Sequence, residues 1–376
     1  MTVNTELSGQ LLDVLRAVAG KPGLAYDRRP EPMHGGFWAE LCSFSLAEPP
    51  DGWPKELVAR VMPDPGAARK ETIVQRAVAR AGFPTPMVRA SGGPGDGLGR
   101  AFMIMDRAPG GPLLAGLDGA GAVASGVGLL RRIPVVLAEA MARLHALDPD
   151  PVRGELVAAA APDGPDGGAG GAAGRAGADG GAPVVAGRLP DRVGYAPVTV
   201  PGLLSGLAGH AGEFGRTDLA GAARWLAAHP PGPAPDVICH GDLHPFNLLA
   251  DGGRITVLDW STTLIAPRAH DVGFTTLLLS EAPLDVPSWA RPAVRAFGRL
   301  LASRFARRYQ HTAGVRISAG EIRYHQAVVC LRALTEVAGW VHEGTAEKRS
   351  GHPWLVSGSA LAGRLSRVTG VPVRPR

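Results

Sequence analysis

The sequence predicts an α+β protein of two lobes. An N-terminal lobe, residues 1–106, is built on an antiparallel sheet with one helix, and a larger, mainly helical lobe spans 107–376. Three observations predict this. Short apolar pieces separated by turn-rich joints concentrate in the first hundred residues, as antiparallel strands require. After Asp106 the apolar residues recur at helical spacing instead. A chain of 376 residues can also fill one large core or two smaller ones.

Leu7, Leu11, Val14, Leu15 and Val18 recur at helical spacing and stop near Gly20. With Glu6 and Asp13 present, and no basic start or small-residue cleavage site, this is an amphipathic helix and not a signal peptide. The pieces FWAELCSFSL, ELVARVM and RAFMIMD follow as strands, with AEPPDGWP and the hairpin turn SGGPGDGLG between them. A helix from about Ala67 to Ala81 interrupts the sheet and is stopped by Gly82 and Pro84. In the second lobe, Val136, Leu137, Met141 and Leu144 share one helical face. Residues 157–188 are rich in Gly, Ala, Asp and Pro and predict a low-complexity, disordered insertion without the side chains to build a core. TDLAGAARWLAA resumes as a helix with a Thr217 cap. Two short strands, DVICH and RITVLDW, come next, and the chain from about Pro267 is mostly helical.

Composition excludes several classes. Of 39 basic residues only Lys21, Lys55, Lys70 and Lys348 are lysines, and Asn occurs only at Asn4 and Asn247. This is the signature of a coding bias, so the net charge of +5 is no argument for a nucleic-acid partner. The arginines are spread out, with no basic run interleaved with aromatics. No apolar run reaches membrane-spanning length, so no membrane partner is expected. Cys42, Cys239 and Cys330 are scattered without ligand spacing, which predicts reduced thiols and a cytoplasmic location.

Against that bias, the stretch CHGDLHPFNLL holds the only asparagine in the body of the chain. Asn247 follows Asp242 by five positions, and Asp259 follows at the end of the next apolar strand. One strand–loop–strand hairpin would then converge two carboxylates and a carboxamide, the oxygen ligands that Mg²⁺ accepts while leaving room for phosphates. A zinc site at His240 and His244 is disfavoured, because Gly241 and Pro245 oppose a helix there and no Glu follows His240.

This segment resembles the catalytic loop of the protein-kinase-like fold, in its aminoglycoside phosphotransferase and choline kinase branch. The resemblance implies that Asp242 is the catalytic base or orienter of the attacking hydroxyl. Asn247 and Asp259 would hold Mg²⁺, His240 would brace the loop, and Asp271 would be the buried Asp that hydrogen-bonds it. MHGGFWAEL resembles the phosphate loop, through Gly35 and Gly36. LVARVMPDPG resembles the strand of the cationic phosphate clamp, with Arg60 where a Lys is usual, and Glu71 would pair with that cation. FMIMDRAPGG resembles the linker whose backbone meets adenine, near Met105. LAEAMARLHALDP resembles the helix before the variable insert. LDW stands where protein kinases carry DFG, and His244 stands where they usually place a Lys.

The implied activity is ATP-dependent transfer of a phosphoryl group to a hydroxyl of a small molecule. The acceptor would be an antibiotic such as a macrolide or aminoglycoside, or a metabolite alcohol, and the protein a monomer or homodimer. A nucleotide-binding pseudokinase or scaffold is the alternative, favoured by Arg60. A peptide substrate is disfavoured, because the interval from Asp259 to Asp271 is too short for an activation segment. From Glu281 to Arg376 there are 15 Arg and Lys against 6 Asp and Glu, a net +9, which tilts the expectation away from polycationic acceptors.

Overall fold

The computed structural model describes residues 5–33, 39–113, 121–160, 192–193, 196–281 and 289–376. In chain order, α1 (Thr5–Ala19), β1 (Tyr26–Pro32), β2 (Glu40–Leu46), β3 (Glu56–Met62), α2 (Pro65–Arg80), β4 (Val88–Gly92), β5 (Ala101–Asp106) and the two-residue β6 (Gly111–Pro112) come first. Next are α3 (Gly121–Leu144), α4 (Asp150–Ala160), the two-residue strands β7 (Arg192–Val193) and β8 (Ala196–Pro197), α5 (Val200–Glu213) and α6 (Thr217–Ala228). Strands β9 (Asp236–Cys239), β10 (Leu248–Asp251), β11 (Arg254–Val257) and β12 (Leu264–Pro267) lead to α7 (Ala269–Ser280) and α8 (Arg291–Ala313). Helices α9 (Ala319–His342), α10 (Pro353–Val356) and α11 (Gly358–Thr369) close the chain.

Two compact units are formed. One comprises residues 1–111, 150–196 and 248–261, and the other 112–149, 197–247 and 262–376. A single division after residue 106 would therefore miss two segments that return to the first unit.

The first unit is a five-stranded antiparallel sheet in the order β1-β2-β3-β5-β4. Leu11 and Leu15 of α1 pack on Phe44, Leu57 and Ile104 of the sheet. Strand β1 escapes a sequence reading because its residues, YDRRPEP, look like a loop. At a sheet edge, prolines and charges are tolerated and discourage edge-to-edge association. Helix α2 begins at Pro65, earlier than the periodicity suggests. Asp64 caps it by accepting from the Gly66 and Ala67 amides.

Three sequence expectations change here. Residues 157–160 are not part of an insertion: they complete α4, whose Val152, Leu156 and Ala159 are buried, and alanines are the best helix formers. Residues 161–188 lie outside the described residues. The single hairpin expected to join DVICH to RITVLDW is replaced by two ladders. In the first unit β10 pairs with β11, from Leu248 opposite Val257 to Asp251 opposite Arg254, across Gly252–Gly253. Both glycines have positive φ, which this tight two-residue turn demands. In the second unit β9 pairs instead with β12, Cys239 opposite Leu264. Finally, Thr217 is the first helical residue of α6 and not its cap; Arg216 holds the cap position and makes no side-chain cap bond. Its guanidinium instead pairs with Asp218 through two 2.9 Å hydrogen bonds.

In the second unit, α9 runs through the core with its residues from Tyr324 to Trp340 almost all buried. Val328, Leu331 and Leu334 meet Phe274 and Leu277 of α7 and the apolar faces of α5, α6 and α11. A capping box of Ser318 and Glu321 fixes the start of α9.

Candidate active site

In the second unit, β9 delivers the chain to a loop at His240, which is fully buried. Asp271, in the first turn of α7 and also fully buried, accepts the His240 amide on Oδ2 at 2.8 Å and the Gly241 amide on Oδ1 at 2.7 Å. Burial opposes the Asp271 charge. The hydrogen bond from His145 and the neighbouring imidazoles outweigh it and hold the carboxyl below its usual range. The loop carbonyls are held as well. Thr262 Oγ1 donates to His240 O at 3.0 Å, Arg332 to Gly241 O at 3.3 Å, and Thr275 Oγ1 to Leu243 O at 2.8 Å. Gly241 has φ +77°, and a Cβ there would collide with the Thr262 carbonyl oxygen, so only glycine fits.

This clamped backbone projects Asp242. Asn247 Nδ2 donates to Asp242 O at 2.9 Å and to its Oδ2 at 3.0 Å. His244 Nε2 stands 3.4 Å from the same Oδ2. Asp242 Oδ1 makes no hydrogen bond among the described residues. Because the Asn247 amide commits its nitrogen to Asp242, its oxygen faces away from that carboxylate. His240 Nδ1 lies 3.3 Å from the Asp242 amide.

The first unit holds the other expected residues. Arg60, on β3 opposite Leu41 and Met103, is buried. Its Nε lies 3.4 Å from Glu71 Oε1 of α2, and one terminal nitrogen donates to Asp259 Oδ1 at 3.3 Å. Arg60 thus bridges two carboxylates. Burial works against its charge, but Glu71 and Asp259 raise its pKa above the usual value. Burial pushes Glu71 up to about 7, against the pull of Arg60. Asp259 is the only non-glycine described residue with positive φ, at 65°, a strained conformation of the kind that persists where function requires it. Ser261 Oγ donates to its Oδ1 at 2.6 Å. Trp260, fully buried, anchors the turn: its indole donates to Thr85 Oγ1 at 2.9 Å and packs edge-on against Phe83. Met105 lies inside β5, opposite Val58 and Val88, so the linker begins only after Asp106. Gly35 and Gly36 lie outside the described residues.

Sequence reading missed His145, just past α3. Its ring touches Asp271 at 3.0 Å and Tyr309 at 2.6 Å. The available signal was a histidine on the apolar stripe of Leu137, Met141 and Leu144. Such a buried polar ring needs partners, which the sequence does not name.

The chain matches the model of the phosphotransferase enzyme family over residues 48–316. Among curated proteins, none matches it. It is similar to a crystal structure from Ralstonia eutropha assigned to the aminoglycoside phosphotransferases, at TM-score 0.59 and 17% identity over 95% of this chain and 98% of that one. The aminoglycoside phosphotransferase APH(4)-Ia, as a thermostable mutant in ternary complex with ADP and hygromycin B, gives TM-score 0.54 and 19% identity over 98% and 99%. A choline/ethanolamine kinase family protein from Mesorhizobium loti gives TM-score 0.50 and 15% identity over 97% and 99%. The structural neighbours carry the fold. The family model, spanning well over half of the chain and all of the loop from His240 to Asp271, carries the membership: the chain belongs to the phosphotransferase enzyme family, with a protein-kinase-like fold.

Proposed function

We propose that the protein is an ATP-dependent phosphotransferase acting on a hydroxyl group of a small molecule. The observation that carries this reading is the state of Asp242. One carboxylate oxygen is fixed by Asn247 and faced by His244, and the other is left to accept a proton. A positioned carboxylate of this kind orients an attacking hydroxyl and takes its proton as the bond to phosphorus forms. Phosphoryl transfer asks a protein chiefly for positioning and charge neutralisation, and Arg60, steered by Glu71, supplies a buried cation for phosphate oxygens.

Mg²⁺ fits the donor set. The Asn247 amide oxygen and the Asp259 carboxylate are hard ligands, and no thiolate stands among them. When bound, the ion supplies neutralisation of the phosphate charge. Met105 is proposed to lie beside adenine, and the three cysteines, all buried and unpaired, suit a cytoplasmic, ATP-supplied setting. No helix among the described residues is long and apolar enough to cross a membrane.

For the acceptor, the net charge of the C-terminal region is a poor guide. Arg295, Arg299 and Arg307 of α8 are exposed. The Asp242 carboxylate instead acts on Glu336 of α9 and on His352 before α10. Amine-bearing acceptors such as aminoglycosides therefore stand beside macrolides and metabolite alcohols. The test is ATP consumption with Mg²⁺ across a panel of all three, with Asp242→Asn as control. Acceptor-dependent ADP release lost in the variant supports the reading. ATP binding without transfer to any acceptor would favour a pseudokinase.

A further inference from the structure

Part of the arginine excess of the C-terminal region gathers around a groove outside the catalytic loop. A hollow of about 870 Å³ lies among α6, α9 and α11, lined by Trp225, His229, Arg323, Arg364 and Arg367. A second, of about 680 Å³, lies between the end of α8 and the start of α9, lined by Arg307, His311 and Arg316. Ser318 and Glu321 line both, so the two hollows adjoin as one groove. All of these residues belong to the second unit, and none lies in the loop from His240 to Asp271. Many other surface arginines pair with carboxylates, as Arg308 does with Glu139 at 2.7 Å. By contrast, Arg307, Arg316, Arg323 and Arg367 are exposed and make no hydrogen bond or ion pair among the described residues. Glu321 is the only acid among the described residues that line the groove, and it already accepts the Ser318 amide at 2.8 Å. Arg364 is engaged by Gln326 at 2.8 Å and Glu281 at 3.1 Å, so the unpaired cations are the four others.

The groove also holds a flat ring. His229 stacks on Trp225 with ring centroids 4.2 Å apart and planes 13° from parallel. Its Nδ1 lies 2.8 Å from the Trp225 carbonyl oxygen, and a carbonyl only accepts, so Nδ1 donates. That bond holds the imidazole against the indole, which packs in turn on the core. One imidazole face meets the indole. His229 is otherwise exposed and lines the groove, so its other face can take a further planar ring. Aromatic faces stack nucleobases, and guanidinium forks match phosphate oxygens through paired, charge-assisted hydrogen bonds. The second hollow is lined by no Trp, Tyr or Phe. The groove thus offers one stacking platform and a row of cations. That suits one base followed by several phosphates, and not a strand that needs a platform for each successive base.

We propose that this groove binds a nucleoside polyphosphate at a site separate from the catalytic loop, with the base against His229 and the phosphates on Arg323 and Arg367. The first hollow has the volume of a small-molecule site, enough for a nucleoside. Binding there needs no Mg²⁺, because the unpaired guanidiniums themselves neutralise the phosphate charge. The proposal does not rest on the phosphotransferase reading, since none of its residues takes part in that chemistry.

The probe is ATP, titrated calorimetrically into full-length protein with Mg²⁺ present and with the metal chelated. Wild type should bind one ATP per chain in the chelated buffer and two with Mg²⁺. Asp259→Ala should keep the metal-independent site. Arg323→Ala combined with Arg367→Ala should weaken that site at least about 30-fold, because two sets of charge-assisted bonds are lost. Tm should not change, since neither side chain has a partner to lose. His229→Ala should weaken ATP about tenfold while inorganic tripolyphosphate stays within about twofold, the split that base stacking requires. No metal-independent binding in wild type overturns the proposal. Metal-independent binding that survives in the double-arginine variant, or disappears in Asp259→Ala, places the nucleotide elsewhere and also overturns it. Equal losses of ATP and tripolyphosphate in His229→Ala remove the nucleoside from the groove. A labelled single-stranded oligonucleotide that binds wild type and is not displaced by ATP does the same. One ATP in both buffers, lost in the double-arginine variant, defeats the phosphotransferase reading and upholds the groove.

Discussion

His270 and His325 make the protein acid-sensitive in a way that can be worked out. His270 is fully buried and His325 is 3% exposed. Both ring nitrogens of His270 and Nδ1 of His325 have no hydrogen-bond partner among the described residues. The rings meet edge to face at 5.5 Å, and Gly273 lets α7 approach α9 there. Burial lowers His270 to about 4, and burial together with His270 lowers His325 to about 3. An unfolded histidine titrates near ~6.5. A base whose folded pKa is depressed is stable above the unfolded value and loses stability as pH falls through it. At pH 5 each unfolded imidazole is almost wholly protonated while each folded one is not, which costs about 2 kcal/mol per residue, or about 4 kcal/mol in total. That is a large share of a typical ~5–15 kcal/mol. The assay is urea unfolding of wild type and of His270→Leu with His325→Leu at pH 7.5 and 5. The double variant removes orphaned polar atoms and should be close to wild type at pH 7.5. Wild type should lose about 4 kcal/mol more than the variant on acidification. The comparison cancels other groups, including Glu71, whose raised pKa of about 7 acts with the opposite sign. Equal acid losses in the two proteins would refute the argument.

Three further outcomes are expected. Asp242→Asn should reduce transfer about 10²–10⁴-fold while calorimetry still shows ATP binding; near-normal turnover would remove Asp242 from the chemistry. Asp259→Ala should abolish the Mg²⁺-dependent part of ATP affinity, and Arg60→Lys should be clearly worse than wild type. A single ammonium cannot reproduce the Nε contact to Glu71 and the terminal-nitrogen bond to Asp259 together; a Lys variant as active as wild type would mean that coding bias alone placed Arg60. Gly241→Ala should cost more than about 100-fold in kcat, because the φ of +77° and the Thr262 carbonyl both oppose a Cβ, with the melting temperature reporting any wider damage.

The sequence by itself determined what lies in local patterns. The strands ELVARVM and RAFMIMD, the helices α2, α8 and α9, and the candidate residues of the loop were legible because alternation, helical period and the Asp242–Asn247–Asp259 spacing are written in neighbouring residues. Asn247 stood out because so little asparagine surrounds it in composition. Pairing was not legible. Strands β9 and β11 are both short apolar runs, and nothing local says that β9 joins β12 while β11 folds back on β10. Such ladders are settled by register and burial over distance. Nor could the sequence announce that His145, 126 positions before Asp271 and 164 before Tyr309, shares one buried row of hydrogen bonds with them. The same holds for Arg60, which chain distance separates from Asp259 by 199 positions and folding brings to 3.3 Å. A buried polar group must be satisfied, and that requirement shows in the sequence only as an unexpected histidine or arginine on an apolar stripe. Which partner satisfies it is decided by packing, because only the folded core brings distant donors and acceptors together where water cannot compete.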